Sequence, residues 1–346
     1  AQLQAKGVQS IVVLLHEGGA QTSTYNECVG ISGPIVAIAQ GLASSIDALI
    51  TGHTHQAYNC TLPDPAGQPR KVVSAMSFGR IITEMNFNVD KTTGDVVRSS
   101  VTAQNHLVTR DVAADPVLQS IVDKWTAKSA VQGDQKVGTI TTDITRAKNA
   151  NGTENRAAES SLSNLIADAQ LESTQNNGAQ LALMNPGGVR TDLNYLSSAR
   201  GEGDGVVTYR EVFNVQPFSN ILQTLTLTGE QIYQTLEQQW PVPGRSTTLR
   251  LGISNGFTYG WRAAPAAGES RIVPGSAQLN GVPLSMTGTY RVTANNFLAA
   301  GGDAFTALRG GTNVSGGKVD LDAFADYLRA HSPVAPAPVA RSTQAP

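Results

Sequence analysis

The 346 residues carry 25 Lys and Arg against 27 Asp and Glu, a formal net charge of −2, with 40% hydrophobic and only 15% charged residues. That length allows two domains with separate cores, and the profile is that of a folded, turn-rich α/β chain, not a disordered or fibrous one. With no excess of positive charge the chain is not built to wrap nucleic acid, and no apolar run approaches the ~20 residues that span a bilayer.

The chain enters through the polar, helix-like AQLQAKGVQS and passes straight into the apolar run Ile11 to Leu15. So abrupt a start leads us to expect a missing upstream segment, and any targeting signal with it. IVVLL (11–15) and ALI (48–50) read as buried strands, being short, continuous and bounded by glycine. Residues 31–46 between them carry helical periodicity, and 72–89 read as two strands leading to a hairpin at Lys91–Asp95. This is a β-α-β unit followed by antiparallel strands, with too few elements to close a core of its own. Asp115 as N-cap and Pro116 at the first helical position then open a helix over 116–130. Its Leu118, Ile121, Val122 and Trp125 recur on one face, and the domain boundary is expected within 105–135.

From Val137 a second α/β pattern begins. VGTITTDI reads as a strand, a polar loop ends at Arg156, and ESSLSNLIADAQLES places Leu162, Leu165, Ile166 and Ala169 on one helical face. QLALMN (180–185) is a buried strand feeding a glycine turn. A strand, a capping pattern from Thr228 to Gln231 and a helix follow, then a strand, a glycine-rich loop and a last helix over 319–330. The Pro/Ala-rich tail, 332–346, is expected to be disordered.

Two cysteines, Cys28 and Cys60, stand in loop-like stretches. Pairing would close a loop worth ~3–4 kcal/mol in the chain-entropy model and would point to a periplasmic, secreted or cell-surface location. Two separate reduced thiols are the alternative. His16 stands at the end of the first strand, and His53 and His55 follow the second in Gly52-His53-Thr54-His55. Residues two apart project to one side, roughly 6–7 Å apart, so two neutral imidazoles can each reach one ion of a divalent pair ~4 Å apart. Ligands collect at the C-terminal ends of parallel strands. A lone His16 would be an ordinary loop histidine about as often as a ligand; the His-x-His pair after a strand is the more specific signal. His106 and His331 lack such a setting and read as solvent-facing. A two-metal centre also needs oxygen ligands, yet no Asp-x-His, Gly-Asp or Gly-Asn-His precedes His16, and the single Asn105-His106 lies in the wrong place.

LLHEGG followed by GHTH resembles the last two metal motifs of the calcineurin-like metallophosphatase domain. VGTITTDI, ESSLSNLIADA, ALMNPGGVR, YREVFNVQPFSN, LTLTGEQI and NNFLAAGGDAF resemble, in order, the C-terminal domain of the 5′-nucleotidase family, to which UDP-sugar hydrolases and cyclic-nucleotide phosphodiesterase/3′-nucleotidases also belong. The resemblance covers nearly the whole chain apart from the tail. It implies an α/β and α+β architecture: residues 1–105 as the C-terminal portion of a metallophosphatase β-sandwich with flanking helices, 106–135 as a linker with a helix, and 136–331 as a separate mixed-sheet α/β nucleotide-binding domain. In the family the second domain rotates about the linker to carry the nucleotide to the metals.

The resemblance also implies roles. His16 and His53 match ligands of two divalent ions (Zn, Mn, Mg or Ca), and His55 matches a position that varies among His, Gln and Asn. The family's catalytic His–Asp pair would lie upstream, so no catalytic residue is assigned in this chain. Arg156, Asn185 and Arg190 match contacts to the nucleotide's phosphate and ribose. The turn at Gly187 and Gly188 offers backbone N–H groups to an anion, although Pro186 stands where the family usually has a glycine. Phe218 and Phe297 match the two aromatics that sandwich the base, and Asp303 matches the carboxylate on the ribose hydroxyls. Taken singly, either phenylalanine would more often be a core residue, Asp303 part of a turn and Arg156 a surface charge; their joint occurrence carries the reading. The implied activity is removal of phosphate from nucleoside 5′-monophosphates. Alternatives are a 2′,3′-cyclic-nucleotide phosphodiesterase/3′-nucleotidase, a UDP-sugar hydrolase, or a catalytically inert nucleoside-binding fragment.

Overall fold

The computed structural model describes residues 2–198, 200–266 and 268–345. They divide into two compact units, which meet in sequence between Asp115 and Pro116.

In the first unit a short helix α1 (Gln2–Ala5) precedes β1 (Val12–Leu15), α2 (Pro34–Gly41) and β2 (Ala48–Thr51), the expected β-α-β unit. With β3 (Ala57–Pro63) and β4 (Pro69–Ala75) these form a four-stranded sheet of order β1-β2-β4-β3. β1, β2 and β4 are parallel and β3 is antiparallel, so the C-terminal ends of three strands share one edge. Pro34 presets the first turn of α2. The helix then packs Ile35 and Ala39 against Leu49, Tyr58, Cys60, Leu62 and Val72, so the unit does have a small core. That core covers one sheet face. On the other, Val12, Leu14 and Ile50 are exposed, which corrects the reading of 11–15 and 48–50 as fully buried: a parallel sheet buries its apolar residues on both faces only where both are covered. β5 (Ile81–Asn86) pairs with β6 (Thr102–Leu107) rather than across the expected hairpin, and the turn at 90–95 closes only the Val89–Val96 bridge.

Away from that edge, Arg70 is fully buried and donates to the carbonyls of Ala39, Leu42, Ala43 and Ile46. Arg98 pairs with Asp47 at 3.2 Å and Asp64 at 2.8 Å. Burial pushes the Asp64 carboxyl up, but the N–H groups of Gln68 and Ala66, the Ser44 hydroxyl and Arg98 outweigh it and hold the carboxyl at about 2.

Cys28 and Cys60 form a disulfide across 32 residues with Cα atoms 5.0 Å apart. Cys60 is not in a loop, as its neighbours suggested. It is fully buried in β3, so the bond ties the 20–32 loop to the sheet. Replacing both cysteines with serine is expected to lower the stability of this unit by about 3–4 kcal/mol, read as increased amide exchange of β3 and β4 with the second unit unaffected.

The second unit opens with α3 (Pro116–Gly133), whose Leu118, Ile121, Val122 and Trp125 are all exposed; among its described residues only Gly133 is buried. Together with the tail it clusters with the second unit. The main sheet has the order β11-β8-β15-β10-β16, built from β8 (Leu181–Met184), β10 (Ile221–Thr228), β11 (Gly252–Ile253), β15 (Thr289–Asn295) and β16 (Thr312–Val319). β8 and β15 are parallel and the other pairs antiparallel. Strand alternation divides the core in two. Ala182 and Met184 face one cluster with α4 (Ser161–Ser173) and α8 (Asp320–His331). Leu181 and Leu183 face the other with α6 (Gly229–Glu237).

The helices start where their caps predict. Ser160 accepts the Ser163 N–H ahead of α4, and Thr228 with Gln231 forms a capping box ahead of α6. A similar box at Thr208 and Glu211 links β9 (Val206–Thr208) to α5 (Tyr209–Val215), while β9 itself pairs with β7 (Lys136–Thr139).

The tail is ordered, contrary to expectation. Its strand β17 (Ser342–Gln344) runs parallel to β12 (Phe257–Trp261), in a second sheet completed by β13 (Gln278–Leu279) and β14 (Val282–Pro283). Arg341 makes a two-pronged ion pair with Asp168 at 2.7 and 2.8 Å, and the Glu159 carboxylate accepts the Arg341 and Ser342 N–H groups. Proline-rich composition signals extended backbone without internal hydrogen bonds; here the partners are supplied by another part of the fold. Arg341→Ala leaves a partly buried carboxylate unpaired and is expected to cost about 2–4 kcal/mol, measured by urea unfolding followed through tryptophan fluorescence.

Candidate active site

Two sets of predicted residues gather, one in each unit. In the first unit His16 follows β1 and His53 follows β2, and their rings meet at 5.2 Å. Gly18 makes this approach possible. A side chain at Gly18 would collide with the Gly52 carbonyl oxygen and lie 2.7 Å from Thr54 Oγ1. In its absence Gly52 N–H donates to Glu17 O at 3.3 Å and Thr54 Oγ1 donates to Gly19 O at 2.7 Å, lacing the two loops together. His55 turns elsewhere, its ring 5.5 Å from Phe78. Among the described residues, no three His, Cys, Asp or Glu side chains gather as a metal-holding group. The chemistry of two imidazoles at adjacent strand ends fits part of a divalent-metal site; the predicted triple with His55 is not assembled. His106 and His331 are exposed and lie against Glu84 and Glu172.

In the second unit the predicted residues sit at the ends of β8, β15 and the loops beside them. Asn185 directly follows β8 and is almost fully buried. Its Nδ2 donates to Asp303 Oδ2 at 3.1 Å, and its Oδ1 accepts from Asn295 Nδ2 at 2.9 Å. Proline at the first position of the 186–188 turn fixes its start. A point one carbon out from Gly187 lies 3.5 Å from Asp303 Oδ2, 3.6 Å from Arg156 Nη1 and 3.7 Å from Asn185 Nδ2. A carboxylate, a guanidinium and an amide from three separated stretches of chain thus converge on one small space. Gly188 packs under it against Met184.

Arg190 donates to Gly187 O at 3.1 Å and stacks on Phe218 at 5.6 Å. Burial, with Arg156 and Arg146 nearby, lowers its affinity for the proton, but an arginine stays charged at neutral pH. Arg156 is paired with Glu154, and Arg146 with Glu154 and Asp192. Among the described residues Arg190 has no carboxylate partner, so it is the cation of this group suited to receive an anion. Phe218 and Phe297 are 53% and 41% exposed, unlike core aromatics. Both lie beyond the same end of the β10–β15 pair, in which Leu222 faces Asn295. Gly302 is required beneath Phe297: a Cβ there would lie 2.5 Å from the ring.

Backbone strain marks the same places. Among the described residues nine non-glycines have positive φ. His53, His55, Met76 and Phe78 border the first site, and Ser219, Asp303 and Ala304 the second; the remaining two are asparagines, which tolerate that conformation. Such strain concentrates at functional sites. Asn295 and Arg146 were not picked out from sequence. Asn295 is hidden in the Asn-Asn pair before Phe297, and Arg146, which donates to Arg190 O at 3.1 Å, lies ten residues before Arg156 in a polar loop without periodicity.

Residues 136–310 match the family model described as the 5′-nucleotidase, C-terminal domain. The chain belongs to the 5′-nucleotidase family. A cell wall protein of Listeria monocytogenes is 30% identical over 341 residues, 95% of this chain and 42% of that protein. A snake venom 5′-nucleotidase of Macrovipera lebetinus is 26% identical over 375 residues, 99% of this chain and 84% of that protein. The crystal structure of a 5′-nucleotidase precursor from Thermus thermophilus is similar with a TM-score of 0.61 and 26% identity, covering 99% of this chain and 65% of that one. The chain thus spans less than half of the Listeria protein and about two thirds of the Thermus chain. Their likeness agrees with the expected combination of a metallophosphatase portion and a nucleotide-binding domain.

Gly187→Ala separates site from scaffold. The added carbon makes ordinary contacts, so the melting temperature should stay within about 2–4 °C, whereas it fills the point on which Asp303, Arg156 and Asn185 converge. Titration with adenosine 5′-monophosphate should show affinity reduced about tenfold or more.

Proposed function

We propose that the chain supplies the nucleotide-binding half, and part of the metal half, of a metal-dependent phosphohydrolase acting on nucleoside 5′-monophosphates. The convergence of Asp303, Arg156 and Asn185 on the space above Gly187, beside Arg190 with its lack of a carboxylate partner among the described residues, is the observation that carries this reading.

The residues divide the ligand among them. Phe218 and Phe297 offer ring faces to either side of a base, an interaction worth ~1–3 kcal/mol per base and tolerant of base identity. Asp303 accepts hydrogen bonds from ribose hydroxyls, as acidic residues do in dinucleotide sites. Arg190 and Arg156 orient the phosphate and offset its charge, and the Gly187–Gly188 turn brings backbone close to it. His16 and His53 would hold a divalent ion through neutral imidazole nitrogens. Divalent ions, when bound, polarise phosphoryl oxygens and acidify water. The disulfide and the likeness to a cell wall protein support a location outside the cytoplasm. No helix among the described residues is long and apolar enough to cross a membrane.

Calorimetric titration with adenosine tests the binding half. Wild-type chain should bind, and Phe297→Ala should lose about five- to a hundredfold in affinity; undiminished binding by that variant overturns the base sandwich. Phosphate release from adenosine 5′-monophosphate with added Mn²⁺ tests the catalytic part. We expect this polypeptide to bind without sustained turnover, because among the described residues no third metal-holding side chain joins His16 and His53, and release above the metal-only background would contradict that.

A further inference from the structure

A base sandwich works only if its two faces keep a fixed separation. Arg190 lies on Phe218 and Gly302 beneath Phe297, but at 53% and 41% exposed neither ring is locked in a core. The backbone between them therefore contributes to the gap. Phe218 sits in the short loop 216–220 ahead of β10, in which Ser219 adopts positive φ, and two other elements grip the end of that loop and the first residue of the strand.

The first grip comes from the start of α8. Asp320 is 2% exposed, its backbone N–H donates to Asn220 O at 2.8 Å, and its Oδ2 accepts from Asn220 Nδ2 at 3.2 Å. Its other oxygen accepts the Leu321 N–H at 2.8 Å, so both carboxylate oxygens are engaged. The second grip comes from α7 (Asn296–Ala299), the helix that carries Phe297. Asn296 Oδ1 accepts the Ile221 N–H at 3.1 Å. Ile221 is the first residue of β10, and Asn296 precedes Phe297 directly. Beside the β10–β15 ladder, in which Leu222 faces Asn295, this side-chain hydrogen bond joins the backbone behind one aromatic to the residue beside the other.

We propose that Asn296 is a positioning residue of the base site: by accepting the Ile221 N–H it holds the Phe218 loop in register with Phe297, so that binding of a nucleobase depends on it while binding of a sugar phosphate does not. Asp320 fixes the same loop through Asn220, and Asn296 is the side chain that ties it to α7. The assignment rests on reading Phe218 and Phe297 as the base-binding pair. Asn296 itself is exposed, and Asn295, not Asn296, caps α7 through Leu298 N–H. Substitution at 296 therefore leaves the helix cap and the core untouched.

The test uses the whole chain, two probes and two variants. Adenosine 5′-monophosphate carries a base; ribose 5-phosphate carries the same sugar and phosphate without one. Calorimetric titration of the wild type should show tighter binding of the nucleotide. Asn296→Ala should weaken it about five- to tenfold, the loss expected for one hydrogen bond, with ribose 5-phosphate affinity unchanged. Asn296→Asp retains a side-chain oxygen acceptor and should restore the nucleotide affinity. Undiminished nucleotide affinity in Asn296→Ala, against a wild type that prefers the nucleotide, overturns the role of Asn296 alone. Equal losses for both probes also overturn it, because they report a general structural defect. A wild type that does not distinguish the two probes overturns the base-pair reading itself, and this inference with it.

Discussion

The second unit depends on a short run of buried amide and carboxylate contacts, from Asn295 to Asn185 to Asp303. Asn295 uses its oxygen to cap the helix that carries Phe297 and its amide to donate to Asn185; Asn185 in turn donates to Asp303. Every step has a donor facing an acceptor, which is what makes buried polar groups tolerable and the arrangement unique. Asn295 ends β15 and Asn185 directly follows β8, its parallel neighbour, so the sheet registers the site. The third comes from the glycine-rich loop after Phe297, and its positive φ is held in place by that contact among others.

Electrostatics follow from this frame. Three arginines lie close together, a costly arrangement unless carboxylates intervene. Glu154 and Asp192 balance Arg146 and Arg156, while Arg190 is left with a backbone carbonyl and an aromatic face. An anion between Arg190 and Arg156 would relieve the remaining repulsion. The site is therefore prepared for negative charge by its own imbalance, although the chain as a whole carries a net charge of only −2. Net charge said nothing about it.

The first unit shows a comparable principle with fewer parts. Gly18 lets the loops after β1 and β2 touch, and strained residues crowd the same sheet edge. The His16–His53 pair results from parallel strand order. His55, two residues on in sequence, has its ring against Phe78, and both His53 and His55 have positive φ. The strand-like projection assumed for a His-x-His pair does not apply once the backbone leaves the extended region.

By itself the sequence determined the helices with strong periodicity and caps, such as α4 and α6, and the residues whose motifs occur together in family order. These are local properties, set by propensity, capping and chemistry within a few residues. Only the tertiary structure decided the rest. Cys60, judged from polar neighbours, became a buried strand residue because β3 pairs along its whole length with β4. The tail, judged disordered from its prolines and alanines, is held by Asp168 and Glu159, well over a hundred residues away. Asn296 and Asp320 carry no local signal for their contacts to the 218–221 segment, and neither does Asn295 for its bond to Asn185, since such a role comes from the partner placed opposite. Hydrogen-bond partners distant in sequence are chosen by packing, and packing is what a one-dimensional reading leaves out.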